Sequence, residues 1–190
     1  SSLTGRAYIF YSDGSYPATA ASADIIITGE ASTNYFGSAL TSGDFNADGR
    51  IDLAIGANQY STSTGRAYLF YGGSIITENA SGADIIITGE ATGNYFGHSL
   101  AVGDFNADGE TDLAIGAYQY STATGRAYIF YNDGSYPAAA ASADAIIQGE
   151  ATFNYFGASL SAGDFNADGK TDLAIGTSYY SSDTGRVYLF

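Results

Sequence analysis

The chain has 190 residues, of which 45% are hydrophobic and 15% aromatic, and this composition excludes a disordered acidic tail. Twenty acidic residues against six basic ones give a formal charge of −14, which excludes nucleic acid as an expected partner, because phosphate contacts need clustered cations. Without cysteine there are no disulfides or thiolate metal sites, and no apolar run reaches the about 20 residues of a membrane span.

The first predicted elements are two strands, in TGRAYIFY at 4–11 and in ADIIIT at 23–28. Both segments recur sixty residues later inside a longer unit, where they are the third and fourth predicted strands. Residues 1–28 are therefore predicted to be the second half of one repeat. Because the first residue is not Met, we expect the chain to be processed or to be a segment of something longer.

A complete unit follows at 29–88, with four short strand candidates near 37–43, 52–57, 65–71 and 83–88. A second unit occupies 89–148, and 149–190 holds the first three strands of a third. Glycine recurs too often for helices, and only the Ala-rich stretch 138–141 predicts a short helical turn. The prediction is an all-β fold of β-propeller blades, each of four antiparallel strands, with a β-solenoid as the alternative.

Between the first and second strands of each unit lies a nine-residue acidic loop, DFNADGRID at 44–52, DFNADGETD at 104–112 and DFNADGKTD at 164–172. Oxygen-bearing side chains occupy positions 1, 3, 5 and 9, Gly stands at position 6, and position 7 varies as if only its carbonyl were used. The loops predict three Ca²⁺ sites. The expected ligands are Asp44, Asn46, Asp48, Arg50, Asp52, Asp104, Asn106, Asp108, Glu110, Asp112, Asp164, Asn166, Asp168, Lys170 and Asp172, with position 7 acting through its carbonyl.

The loop has two other interpretations. An EF-hand needs a glutamate at position 12 and flanking helices, whereas position 12 here is Ile55, Ile115 or Ile175 and the flanks are predicted strands. Alternatively, Asp, Asn and Gly simply make good turns. Three copies with unchanged ligand positions favour the metal site.

Strand alternation places the acidic loops on one face of the blades and the loops between strands two and three on the opposite face, where the repeats differ. The candidate ligand-binding residues on that face are Tyr60, Tyr118, Tyr120, Phe153, Tyr179 and Tyr180. The single histidine, His98, is predicted to be a neutral filler. The recurrent Arg6, Arg66, Arg126 and Arg186 are predicted to form structural ion pairs with Glu30, Glu90 and Glu150.

The sequence YFGSAL…GDFNADGRIDLAIGA, with GRAYLF after it, resembles the FG-GAP repeat of integrin α-subunit propellers and their bacterial and fungal relatives. Phe-Gly at 36–37, 96–97 and 156–157 matches the first half of that name; the second half is Gly-Ala at 56–57 and 116–117 and Gly-Thr at 176–177, without the proline. The resemblance implies a calcium-binding loop between the first two strands. Related fungal lectins bind sugars between blades, so the resemblance also implies lectin-like recognition.

A propeller closes with about 4–8 blades, so three are too few for a ring. A homodimer would give six blades, with ADIIIT at 23–28 completing the last blade of the other chain, although the fourth copy of the third strand has no place in that scheme. The alternative is a longer array.

The expected function is non-enzymatic recognition or adhesion at the cell surface or outside the cell, with a glycan or protein ligand. The alternative is a structural repeat protein that assembles into a ring or an extracellular filament.

Overall fold

A computed structural model of the chain describes residues 4–73, 79–181 and 184–190. Thirteen β-strands in these ranges form four antiparallel sheets, confirming the all-β prediction of four-stranded blades. The strands are β1 (Arg6–Ile9), β2 (Ile25–Thr28), β3 (Phe36–Gly43), β4 (Asp52–Ala57), β5 (Arg66–Phe70), β6 (Ile85–Thr88), β7 (Ser99–Gly103), β8 (Asp112–Ala117), β9 (Arg126–Phe130), β10 (Ala145–Gln148), β11 (Ser159–Gly163), β12 (Asp172–Thr177) and β13 (Arg186–Leu189).

The sheets follow the chain without crossovers. We name them the N-terminal sheet (β1 and β2), the first blade (β3 to β6), the second blade (β7 to β10) and the third blade (β11 to β13). Corresponding strands pair in the same register, since Ile55 lies opposite Tyr68 and Ile115 opposite Tyr128. One strand-pairing pattern thus repeats every sixty residues.

Helical structure in the described ranges is limited to single turns. Short 3₁₀ turns precede the last strand of three sheets, at Ala20–Ser22, Ala80–Gly82 and Ala140–Ser142, and the last of these overlaps the turn predicted for 138–141. The turn Tyr60–Ser63 is left-handed at Ser61 and Thr62, where φ is 48° and 58°. None of these turns has the length or hydropathy of a membrane-crossing helix.

Neighbouring blades contact each other through their first strands, β3 against β7 and β7 against β11. A buried apolar cluster fills each junction; between the first and second blades it contains Phe45, Leu69, Phe96 and Phe130. Phe96 packs edge-on against Tyr128, with ring centroids 5.3 Å apart. The hydrophobic core therefore lies mainly between the sheets, as stacked propeller blades require.

The second glycine of the repeat motif has a packing role. Gly116 in β8 lies against the backbone of the third blade, and a Cβ there would collide with the carbonyl oxygen of Gly157. Gly56 meets Gly97 in the same way at the preceding junction. The glycine of Phe-Gly in one blade and the second motif glycine of the preceding blade therefore contact each other through their backbones.

Candidate functional site

The acidic loop is folded by its own side chains. Asp44 accepts hydrogen bonds from the N–H groups of Asp48 (3.1 Å) and Gly49 (2.8 Å), and Asp48 accepts one from the N–H of Arg50 (2.8 Å). Gly49 has φ of 81°, a conformation that a side chain would strain. The same bonds recur in the loops at 104–112 and 164–172.

The oxygens at positions 1 and 3 converge. Asp44 Oδ1 and Asn46 Oδ1 both accept from the N–H of Asp48, at 3.1 Å each, while Asn46 Nδ2 donates to Asp48 Oδ2 at 3.3 Å. Asp48 is exposed, and Asp44 and Asn46 are half-buried. Carboxylate and amide oxygens close together on one short loop are the ligands that a hard divalent cation prefers.

Position 9 of the loop has a role that the sequence did not predict. Asp52 is 1% exposed, and its carboxylate accepts from the N–H groups of Phe45 (2.7 Å) and Gly72 (2.6 Å). Asp112 is fully buried and accepts from Phe105 (2.8 Å) and Asn132 (2.9 Å). Each carboxylate thus joins the acidic loop to the loop between the third and fourth strands.

This second role bears on the predicted metal ligands. Burial raises the pKa of Asp52 and Asp112, although the backbone hydrogen bonds oppose that shift. Over the described ranges, no three Asp, Glu, His or Cys side chains are placed together to hold a metal ion. In the first two repeats the position-9 carboxylate therefore anchors the loop, whereas, among the described residues, Asp172 bonds only N–H groups of its own loop. Positions 1, 3 and 5 supply the other side-chain oxygens of each loop.

The opposite face carries a row of tyrosines. Ring centroids are 5.3 Å apart for Tyr95 and Tyr118, 5.7 Å for Tyr118 and Tyr155, and 4.9 Å for Tyr155 and Tyr179. These four residues, the aromatic strip, cross from the second blade to the third. Tyr179 is 52% exposed and the other three are half-buried.

His98 packs on the edge of this strip, with its ring centroid 4.3 Å from that of Tyr118. Its Nδ1 lies 2.9 Å from the side-chain amide of Asn58. Burial lowers the pKa of His98, which favours the neutral form of the ring. The arrangement agrees with the predicted filler role.

Three of the predicted ligand-binding tyrosines lie outside the aromatic strip and pack against arginines. Tyr60, Tyr120 and Tyr180 each lie under the guanidinium of Arg66, Arg126 or Arg186, which is 3.6 Å from the ring centroid in every case. The same arginines bond Glu30, Glu90 and Glu150 at 3.1, 2.9 and 3.5 Å, which confirms the predicted ion pairs for three of the four arginines. These tyrosines are parts of structural networks.

Only two of the predicted ligand-binding residues, Tyr118 and Tyr179, belong to the aromatic strip, and Phe153 stands apart with 60% of its surface exposed. Sequence reasoning missed Tyr95 and Tyr155. These two residues belong to Asn-Tyr-Phe-Gly, which is identical in every repeat and overlaps the Phe-Gly of the repeat motif. The sequence signal that could have identified Tyr95 and Tyr155 is a tyrosine that is the same in every repeat and lies beside a loop that varies.

The chain matches the FG-GAP repeat at residues 36–70, 96–130 and 156–190. It is 34% identical over 168 residues to integrin alpha-PS2 of Drosophila melanogaster, covering 83% of this chain and 12% of that protein. It is 35% identical over 159 residues to phosphatidylinositol-glycan-specific phospholipase D of Bos taurus, covering 75% of this chain and 18% of that protein.

Phosphatidylinositol-glycan-specific phospholipase D of Dictyostelium discoideum is 32% identical over 192 residues, covering 86% of this chain and 20% of that protein. The chain thus spans a fifth or less of the length of these relatives. Three matched repeats cover more than half of its own residues. Their strands, loops and junction glycines recur with one geometry, and the chain belongs to the FG-GAP repeat family.

Proposed function

We propose that the chain is a calcium-stabilised, non-enzymatic recognition module that acts at the cell surface or outside the cell. The observation that carries this proposal is the division between the two faces. The acidic loops keep the same hydrogen bonds in all three repeats, whereas the opposite face varies and carries the aromatic strip. The constant face suits a metal, and the variable face suits a ligand.

Calcium would be held in each repeat by the oxygens at positions 1, 3 and 5, together with the carbonyl of the variable position 7 and the carboxylate at position 9. In the first repeat these are Asp44, Asn46, Asp48, Arg50 and Asp52. The donor set fits calcium better than magnesium, which keeps a rigid octahedron of waters, and better than zinc, which prefers nitrogen and sulfur. Bound calcium would supply only electrostatic stabilisation, and weak loop sites of about 10⁻⁴–10⁻³ M are filled outside cells.

Calcium removal is expected to lower the melting temperature, because an ion that binds only the folded state stabilises it. At a hundredfold excess of calcium over Kd, one site contributes about 2.7 kcal/mol. The triple variant Asp48→Asn, Asp108→Asn, Asp168→Asn keeps an oxygen at position 5 but removes its charge. Calorimetry with calcium and with chelator should show a large shift for the native chain and a small one for the variant; equal melting of the native chain in both buffers would refute calcium binding.

The recognition part of the proposal rests on the aromatic strip. Neighbouring tyrosine rings offer apolar surface and hydroxyl groups with little conformational entropy to lose, which suits both sugars and protein partners. Integrin alpha-PS2 and the phospholipases D are similar to this chain, and the enzymatic activity in the latter name belongs to a protein of which this chain matches 18–20%.

Tyr118→Ala and Tyr179→Ala are expected to weaken ligand binding at least tenfold, with the melting temperature of Tyr179→Ala unchanged because that side chain is 52% exposed. A glycan array and a panel of immobilised extracellular-matrix proteins provide the test. Ile146→Ala, which shortens a 40% exposed side chain on the outer strand β10, is the matched control and should bind normally. Binding that survives both tyrosine substitutions would place recognition elsewhere.

A further inference from the structure

The acidic loops of the first and second blades have the same residues at positions 1, 3, 5 and 9 but differ in charge. Position 7 is Arg50 in the first blade and Glu110 in the second. Three aspartates and an arginine give the loop at 44–52 a formal charge of −2, whereas three aspartates and a glutamate give the loop at 104–112 a charge of −4. One calcium ion would neutralise the first loop completely and the second only by half.

Position 7 lies next to the atoms that would bind the ion. The N–H of Arg50 donates to the carboxylate of Asp48 at 2.8 Å, and the N–H of Glu110 donates to that of Asp108 at 2.8 Å. Both position-7 side chains are exposed. Their charges are therefore within about 10 Å of the site, which is the Debye length at about 0.1 M salt.

A second difference in charge lies in the loop between the third and fourth strands, which touches the acidic loop. In the second blade, the N–H of Asn132 donates to Asp112 at 2.9 Å, and the next residue is Asp133. Gly73 occupies that position in the first blade. The second blade therefore carries one more negative charge beside its position-9 carboxylate.

These two differences occur at neighbouring positions. A Cβ added to Gly73 would lie 2.6 Å from Nη1 and 3.2 Å from Cζ of Arg50, so the arginine side chain crosses the glycine. The equivalent residues in the second blade are Glu110 and Asp133, which are both exposed. The charge of the pair is +1 in the first blade, from one arginine, and −2 in the second, from two carboxylates.

Other acidic residues near the two loops are matched. Asp84 accepts from the N–H of Tyr71 at 2.7 Å, and Asp144 accepts from the N–H of Tyr131 at 2.8 Å. The hydrogen bonds inside the two acidic loops are also the same. Among the described residues around these two loops, the difference in charge is therefore confined to position 7 and to the residue that faces it.

We propose that the second blade binds calcium more tightly than the first, and that Arg50, Glu110 and Asp133 set the difference. This inference rests on the proposed function, because it takes the acidic loops to be calcium sites. Negative charge beside a site attracts a cation and positive charge opposes it. The two affinities should differ about tenfold in about 10 mM salt and less than about twofold in about 1 M salt, where the Debye length falls to about 3 Å.

The difference would give the chain a graded response to calcium. As the free calcium concentration falls, the first blade loses its ion while the second blade still holds one. Because an ion that binds only the folded state stabilises it, the first blade then loses stability before the second. The comparison involves residues within each blade, so it is independent of any repeats before or after them.

A calcium titration followed by NMR measures the two sites separately. The N–H of Gly49 donates to Asp44 at 2.8 Å and that of Gly109 to Asp104 at 2.9 Å, so each amide signal reports on its own loop. In about 10 mM salt, the Gly109 signal should reach half of its shift at about one tenth of the calcium concentration that Gly49 needs. Equal midpoints overturn this inference and leave calcium binding intact, whereas two signals that do not respond overturn calcium binding and this inference with it.

Exchanging the charges tests the assigned residues. At low salt, Arg50→Glu should tighten the first site about fivefold, Glu110→Arg should weaken the second by a similar factor, and Asp133→Asn should weaken it about twofold. Asp13→Asn is the matched control, because Asp13 and Asp133 are both exposed and accept from the N–H of the serine two residues later, at 3.1 and 3.3 Å. Asp13 belongs to the N-terminal sheet, so the Gly109 midpoint should not move; midpoints that ignore the position-7 exchanges overturn the assignment.

Discussion

Replacing Asp112 with alanine is expected to lower the free energy of unfolding by about 3 kcal/mol or more, even in the presence of chelator. The carboxylate is fully buried and accepts from the N–H groups of Phe105 and Asn132. Alanine leaves both donors without an acceptor in the interior, and each lost bond to a charged group contributes about 1.5–3 kcal/mol. Urea unfolding in excess chelator measures the loss without any contribution from calcium.

Asp108→Ala in the same loop is the matched control. Its side chain is exposed, so in chelator the loss should stay below about 1 kcal/mol. Asp112→Asn should cost less than Asp112→Ala but more than Asp108→Ala, because its amide oxygen still accepts one of the two backbone hydrogen bonds while its nitrogen, which only donates, faces the other N–H. If Asp108→Ala and Asp112→Ala destabilised the chelated protein equally, the position-9 carboxylate would not be the anchor of the loop.

Gly116→Ala is expected to destabilise the fold by about 3 kcal/mol, at the upper end of the range for added methyl groups in packed interiors. The new Cβ would meet the carbonyl oxygen of Gly157, which belongs to the backbone of the third blade, so relief requires the two blades to separate. Such separation would also open the buried cluster that contains Ala127 and Phe156. Denaturant titration of the purified variant measures the effect.

Gly176→Ala provides the comparison at the equivalent position. Within one chain its Cβ approaches the Ser159 side chain and no backbone of another blade, and that side chain is exposed and can turn away. Gly176→Ala should cost less than about 1 kcal/mol. Similar losses for the two variants would show that the backbone contact between blades is not what requires glycine.

Periodicity made much of the fold predictable from sequence. The repeated GRAYLF and ADIIIT segments mark strands because their aromatic and β-branched residues lie between Gly, Asn and Asp. The Glu30–Arg66 pair was predictable because both residues recur with the same spacing. The acidic loops were predictable because oxygen-bearing residues at fixed spacing around a glycine have few structural alternatives.

The roles of individual site residues were harder to predict, because they depend on atoms that are distant in sequence. The second partner of Asp52 is the N–H of Gly72, twenty residues away, and a backbone donor leaves no mark in the sequence. Tyr60 was assigned to a ligand because loop tyrosines often bind one, yet the guanidinium of Arg66 covers its ring. The residue type shows which side chains can bind a ligand. Contacts with residues on neighbouring strands determine which of those side chains remain accessible to one.

The identical register of successive blades has a consequence for how the chain folds. The partner of Ile55 is Tyr68, but Tyr8, Tyr128 and Tyr188 occur in nearly the same strand sequence and present the same hydrogen-bonding groups. A newly made chain therefore meets several strand pairings of almost equal local energy. The short connection between β4 and β5 favours the correct pairing, because closing it costs less entropy than reaching a repeat sixty residues further along the chain. Productive folding therefore depends on each blade forming its local pairs before a distant repeat takes their place.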